Sequence, residues 1–344
     1  MKGLIAAVAL VLAGSPALAG ELRFPTHFDP IGTPVSQLKV GARTVHYTDT
    51  GEAGWTPMLF IGGAGTSARA PELVAFLDSL RRKLKVRIVA VERNGFGDSA
   101  FDPAWGFADY VGDVRAVLGE LKIDHFALVA ISGGGAYAGH IAEAMPQRLR
   151  SWHMLAAVAS MAGKPQCQAD EATLIAALKP QVGAPRVWWD MPKDGVSAHV
   201  PGFADRTADE GAHAFFIAGQ GGDPRGMAAE YRRFCQPPAS ATAVRAPATF
   251  MYGAADAIVP PAQGEVWAKM AKGPVKFRRY PGEGHDVQYR HWDQVLVDVA
   301  GRRGTLVCQQ GKARLVPREL DPARLPRGTS LGLCGWQSNK GSAR

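Results

Sequence analysis

Six consecutive apolar residues, Phe126 to Ile131, run without a break into Ser132, and Gly133, Gly134 and Gly135 follow at once. An uninterrupted apolar run suits a strand buried on both faces of a largely parallel sheet, with helices covering it on either side. The glycines then point to a sharp strand-to-helix turn, because only small residues fit where the backbone passes close to itself. Such a turn exposes the residue at its tip, here a serine hydroxyl. It also places the Gly133 N–H and the positive end of the helix dipole beside that hydroxyl. A serine ahead of a helix is equally a common N-cap, so this motif alone leaves a structural and a chemical reading open.

The surrounding chain keeps an alternating rhythm. Apolar, β-branched runs at 44–48, 58–62, 86–92, 126–131 and 152–158 read as strands. Between them, 71–84 and 108–121 carry apolar residues at three- and four-residue spacing and read as helices. The rhythm lapses from 162 to 241, a Gly- and Pro-rich stretch whose aromatics include Trp188, Trp189, Phe215 and Phe216. It resumes with strands at 248–252 and 275–280 and helices at 263–271 and 293–299. This order describes one α/β domain, a mostly parallel sheet flanked by helices, divided into 20–161 and 242–301 by an inserted lid at 162–241. The lid aromatics either form the lid's own core or line an apolar substrate pocket. Beyond Gly301 a Pro-, Arg- and Gly-rich extension, 302–344, shows no repeat.

Lys2, an apolar stretch at 4–12 and Ala17-Leu18-Ala19 before Gly20 have the layout of a secretory leader, 1–19, too short to span a bilayer. The mature chain is expected to be exported, periplasmic or secreted. Cysteines tend to pair in such a compartment, and four of them allow three connectivities. The local pairs Cys167 with Cys235 and Cys308 with Cys334 are favoured, the first bracketing a lid segment and the second the extension. The formal charge is +8, and residues 302–344 hold nine Lys and Arg against Glu319 and Asp321. Residues 20–301 are neutral overall, so the body gives no reason to expect a nucleic-acid partner. For the extension, electrostatic contact with an anionic envelope surface is the expectation.

From about residue 37 to 301 the chain resembles the α/β-hydrolase superfamily. Ala130-Ile131-Ser132-Gly133-Gly134 is similar to its G-x-S-x-G nucleophile turn, with Ala for the first Gly. Gly62-Gly63-Ala64-Gly65 stands where the family often has His-Gly-x-Pro, without the His and Pro. The segment from Glu92 to Ser99, Glu-Arg-Asn-Gly-Phe-Gly-Asp-Ser, looks like the family's Asp-Arg-x-Gly-x-Gly-x-Ser turn, which is expected to be structural. The resemblance implies an α/β-hydrolase fold with the order nucleophile, acid, base. In that order Ser132 is the nucleophile. Asp256, in the loop after the strand that follows the lid, is the acid, and His285, after Pro281-Gly282-Glu283-Gly284, is the base. The resemblance also implies the Ala64 N–H as the second oxyanion donor beside Gly133.

The chemistry fits these residue types. A serine hydroxyl is a poor nucleophile near neutral pH, so an imidazole must take its proton during attack, and a carboxylate must fix that imidazole's tautomer. Asp286 is a rival acid, but a neighbour of His285 in sequence usually points elsewhere. The expected activity is hydrolysis of an ester or similar acyl bond in a small molecule, with no cofactor. Two alternatives stay open. One is a proline-iminopeptidase-like aminopeptidase, in which Asp205, Glu210 or Glu230 of the lid meets the substrate amine; the other is a hydrolase-fold protein that only binds. A G-x-G-x-x-A match at 63–68 is a poor dinucleotide fingerprint, since the first strand-end acid, Glu92, is 29 residues after Gly63.

Overall fold

Eight strands form the central sheet of the computed structural model, which describes residues 32–183 and 223–334. They are β1 Ser36–Val40, β2 Arg43–Thr50, β3 Thr56–Ile61, β4 Val86–Val91, β5 Phe126–Ile131, β6 Leu149–Leu155, β7 Ala248–Gly253 and β8 Val275–Tyr280. Their spatial order is β1-β2-β4-β3-β5-β6-β7-β8. The β1–β2 and β2–β4 pairs are antiparallel, and every pair from β4 to β8 is parallel. After β3 the chain steps outward to β4, whereas after β5 it steps the other way to β6. The loops leaving β3 and β5 therefore diverge from adjacent strands at a topological switch point, where sheets of this kind leave a crevice.

The helices are α1 Asp78–Leu84, α2 Phe107–Glu120, α3 Gly134–Ala144, α4 Glu171–Gly183, α5 Pro224–Phe234, α6 Pro261–Met270, α7 Val287–Arg290 and α8 Trp292–Val299. One face of the sheet, with Leu59, Leu128, Trp152 and Phe250, packs on Val114, Ile141 and Trp267 of α2, α3 and α6. The other, with Met58, Phe60, Val129 and Met251, packs on Leu73, Val74, Val295 and Leu296. Burial on both faces is why β5 is apolar at every position. Among the described residues no helix is long and apolar enough to cross a membrane.

Three expectations need adjustment. The helix expected at 71–84 is a 3-10 stretch, Ala70–Leu77, followed by α1; Leu73, Val74 and Leu77 are buried, so the apolar spacing served this tighter winding as well. The strand expected at 152–158 lies at Leu149–Leu155. Ala156 takes φ +43° and the Val158 N–H turns to the Ser132 carbonyl at 2.8 Å, so 156–158 leave the ladder and buttress the serine turn. The extension, described from the sequence only as Pro-, Arg- and Gly-rich without repeats, folds into an antiparallel sheet of β9 Thr305–Gln309, β10 Lys312–Val316 and β11 Thr329–Leu331, with β9 central. Disulfides join Cys167 to Cys235 and Cys308 to Cys334.

Candidate active site

The residue at the tip of the β5–α3 turn is held in a conformation that side chains avoid. Ser132 has φ +48°, in the left-handed region, which costs a non-glycine residue about 1–2 kcal/mol. Its backbone is fixed from both sides: its N–H donates to the Leu155 carbonyl at 3.2 Å, and its carbonyl accepts from Val158 at 2.8 Å and Gly135 at 3.0 Å. The glycines are required by space. A Cβ on Gly134 would lie 2.5 Å from the carbonyl oxygens of Ile61 and Gly62, and one on Gly135 would lie 2.5 Å from that of Val158.

Asp256 and His285 come from neighbouring strand ends, and backbone hydrogen bonds sew their loops together. Ala254 N–H donates to the Tyr280 carbonyl and Ala255 N–H to the Glu283 carbonyl, both at 2.9 Å. Gly253 is where they press closest: a Cβ there would lie 2.3 Å from the Glu283 oxygen. The result is a line of three side chains. Asp256 Oδ2 lies 2.8 Å from His285 Nδ1, and His285 Nε2 lies 3.0 Å from Ser132 Oγ. Asp256 is 4% exposed, and its other oxygen accepts from the Ile258 and Val259 N–H groups at 2.9 and 2.8 Å. A carboxylate only accepts, so Nδ1 carries the imidazole proton and Nε2 presents a lone pair to the serine hydroxyl. Asp286 turns away; it accepts from the Gly284 N–H at 3.2 Å and pairs with Arg290.

The loop after β3 lies against this turn. The Ala64 amide nitrogen is 3.0 Å from where a Cβ on Gly133 would stand, and a Cβ on Gly63 would sit 3.3 Å from the Ser132 Cβ. Neither the Ala64 nor the Gly133 N–H has a partner among the described residues.

Residues 58–299 match the Alpha/beta hydrolase family. The chain belongs to the alpha/beta hydrolase family. Solved structures with its fold include a thermophilic esterase from Thermogutta terrifontis, 18% identical with TM-score 0.58, covering 78% of this chain and 97% of the other. A bromoperoxidase from Bacillus anthracis is 20% identical with TM-score 0.60, covering 78% and 100%. An enol-lactonase from Burkholderia xenovorans LB400 is 16% identical with TM-score 0.59, covering 78% and 100%. At such identities the likeness extends to the fold alone, and the three names differ in chemistry. No curated protein matches the sequence.

Two residues of this alpha/beta hydrolase matter at the site in ways the sequence did not disclose. Arg93, in the turn after β4, donates to the Gly62 carbonyl at 2.9 Å and the Gly63 carbonyl at 2.6 Å, so that turn supports the loop beside Ser132 as well as its own shape. Glu230 of α5, a candidate for meeting a substrate amine, is fully buried and bonded to Arg93 and to the Gly65 N–H, and so is not available for that role. The replacement of Asp by Glu92 is accommodated: its Oε2 accepts from Asp98 N–H at 2.9 Å and Ser99 Oγ at 3.0 Å. Trp188, Trp189, Phe215, Phe216, Asp205 and Glu210 lie outside the described residues. No group of three or more His, Cys, Asp and Glu among the described residues is disposed to hold a metal ion.

Proposed function

We propose that this chain is an exported serine hydrolase that cleaves an ester or related acyl bond through an acyl-enzyme. The observation that carries the reading is the hydrogen-bonded line from Asp256 through His285 to Ser132. Ser132 Oγ attacks the carbonyl carbon while its proton passes to His285 Nε2. The carbonyl oxygen becomes an oxyanion facing the Gly133 and Ala64 N–H groups. When the tetrahedral adduct collapses, the leaving oxygen takes the proton from His285 and departs as an alcohol. Water then attacks the acyl carbon, giving a proton to His285, which returns it to Ser132 Oγ as the acid leaves. Asp256 keeps the imidazole in the required tautomer and offsets its charge when protonated.

Export rests on the leader-like residues 1–19 together with two disulfides, which belong in an oxidising compartment. The segment at 162–241 serves as the lid, and the basic extension as a means of holding an anionic envelope surface. Deleting 302–344 is expected to abolish salt-sensitive envelope association, and unchanged association would remove the second assignment.

A panel of esters of increasing acyl length, set against aminoacyl amides, tests the reaction class. Ester turnover is expected, with a loss of at least about 10³-fold in Ser132→Ala at unchanged melting temperature. A fluorophosphonate should label Ser132 in the wild type and nothing in that variant. Absence of labelling would favour a protein that only binds, and preferential turnover of aminoacyl amides would favour the peptidase.

A further inference from the structure

We propose that Glu230 is a positioning residue for the oxyanion loop, and that α5 is the clamp that delivers it; this rests on the reading of Ser132 as nucleophile. Three residues one turn apart on α5, Gly226, Glu230 and Phe234, share a face. Each meets a different part of the rim. Gly226 packs on the turn after β4, where a Cβ on it would stand 2.9 Å from the Gly95 carbonyl oxygen. Glu230 reaches the loop after β3: Oε2 accepts from the Gly65 N–H at 2.8 Å and Oε1 from Arg93 Nε at 2.7 Å. Phe234 presses on the serine turn, its Cζ 2.6 Å from where a Cβ on Gly133 would be. One helix face thus bears on both proposed oxyanion donors, Gly133 directly and Ala64 through its neighbours.

The hydrogen bonds around Ala64 show what an acceptor at position 230 does there. Arg93 draws the Gly62 and Gly63 carbonyls to one side of the loop, and Thr66 Oγ1 also donates to the Gly63 carbonyl at 2.8 Å. Glu230 takes the Gly65 N–H. What remains is the Ala64 N–H, without a partner among the described residues and next to Gly133. The arrangement is preorganised, so the donor does not have to reorient as charge develops on the substrate oxygen. Arg93 also balances charge. Burial is the largest single influence and works against its guanidinium, but the Glu230 carboxylate, together with Tyr137 and Tyr110, holds its pKa above the ordinary range. A lone carboxylate beside an oxyanion would oppose it; neutralised by Arg93, Glu230 can hold the loop without that penalty.

The test compares Glu230→Ala, Glu230→Gln and the double variant Glu230→Ala/Arg93→Met with wild type, every rate being expressed per fluorophosphonate-titrated Ser132. The alanine variant is expected to lose about 10- to 100-fold in kcat with KM within about twofold, since a misplaced donor costs less than an absent one, which costs about 10²- to 10³-fold. Affinity for an alkyl boronic acid, which forms a tetrahedral adduct on the serine, should fall by the same factor. Glutamine keeps an acceptor for the Gly65 N–H and should restore most of kcat. The double variant leaves no unpaired buried charge and should fold even if the alanine variant does not, yet show at least the same kcat loss, since it also releases the Gly62 and Gly63 carbonyls from Arg93. Wild-type kcat per titrated site in the double variant would overturn the proposal, leaving Glu230 a structural residue. So would a wild-type Gly65 amide that exchanges with solvent as fast as an exposed loop amide, a measurement needing no variant. Failure of the wild type itself to label would instead reject the nucleophile, a separate result.

Discussion

Helix α5 and the C-terminal extension each carry a disulfide and each set a carboxylate against a buried arginine of the core, yet they meet different parts of it. At α5, Glu230 meets Arg93 and the bonds continue into the loop beside Ser132. At the extension, Arg278 of β8 meets Asp298 of α8 and Glu319, and the neighbouring bonds run from Gln294 to Leu306 and Gly304 and from Asp293 to Leu333. None of these touches Ser132, Asp256 or His285. A buried ion pair gains little net stability over apolar packing, but removing one partner is expensive. What such a pair contributes therefore depends on what its released atoms touch: at α5 the loop beside Ser132, at the extension only the seating of a small sheet.

The sharpest break in that comparison is Arg278→Met. It strands the carboxylate of Asp298, 5% exposed, and should destabilise the fold by about 3–5 kcal/mol in urea melts. Ester turnover per titrated Ser132 should stay within about twofold of wild type; a kcat loss comparable to that of Glu230→Ala would erase the distinction between the two regions. The disulfides come next. Their sequence separations are 68 residues for Cys167–Cys235 and 26 for Cys308–Cys334, so opening them should cost about 4 and about 3.5 kcal/mol by loop entropy. Cys235 follows Phe234 at the end of α5, so the Cys167→Ser/Cys235→Ser variant should also lose kcat, whereas Cys308→Ser/Cys334→Ser should lose only stability. Equal kinetics for the two variants would show that α5 holds its position without the bridge.

The core was legible because its signal is local. A run such as Phe126 to Ile131 can satisfy both faces only inside a parallel sheet, and the turn at Ser132 needs its glycines whatever the rest of the chain does. Asp256 and His285 were legible as strand-end residues in a fixed order, and the structure brings them to hydrogen-bonding distance of each other and of Ser132. Arg93 and Glu230 were not, because their pairing spans 137 residues and neither lies in a pattern that names the other. The extension was opaque for a different reason. β10 carries Lys312 and Arg314, and is exposed at four of its five positions, so it offers no clean alternation of apolar and polar residues. β9, buried from Thr305 to Cys308, packs against α8, and β11 adds Leu331 to the same core.

Acidity offers a finer separation of the two regions. Glu92, at the end of β4 in the turn that also carries Arg93, is pushed by burial from 4.5 to about 7, and its Oε1 has no partner among the described residues. His153, in β6, is held by burial down from 6.5 to about 4, and its Nδ1 likewise has none. The signs are opposite. A carboxyl whose folded pKa is raised binds its proton more tightly in the folded state, so its contribution is full below pH 4.5 and is lost as pH rises to about 7. An imidazole whose folded pKa is depressed takes a proton in the unfolded chain first, so its contribution is full above pH 6.5 and is lost as pH falls to about 4. Each change amounts to roughly 3 kcal/mol over its window. Subtracting wild-type stability from that of Glu92→Gln, measured in urea from pH 4 to 8, should therefore give a difference that climbs by roughly 3 kcal/mol with rising pH. The same subtraction for His153→Gln should give a difference that falls by a similar amount. The kinetic consequence should divide as well. Glu92 holds the backbone of the turn from which Arg93 reaches the loop beside Ser132, so its titration should be visible in kcat, while His153, on the core strand that faces the extension, should leave kcat untouched. A kcat profile that shifts with His153→Gln and not with Glu92→Gln would reverse the assignment of the two regions.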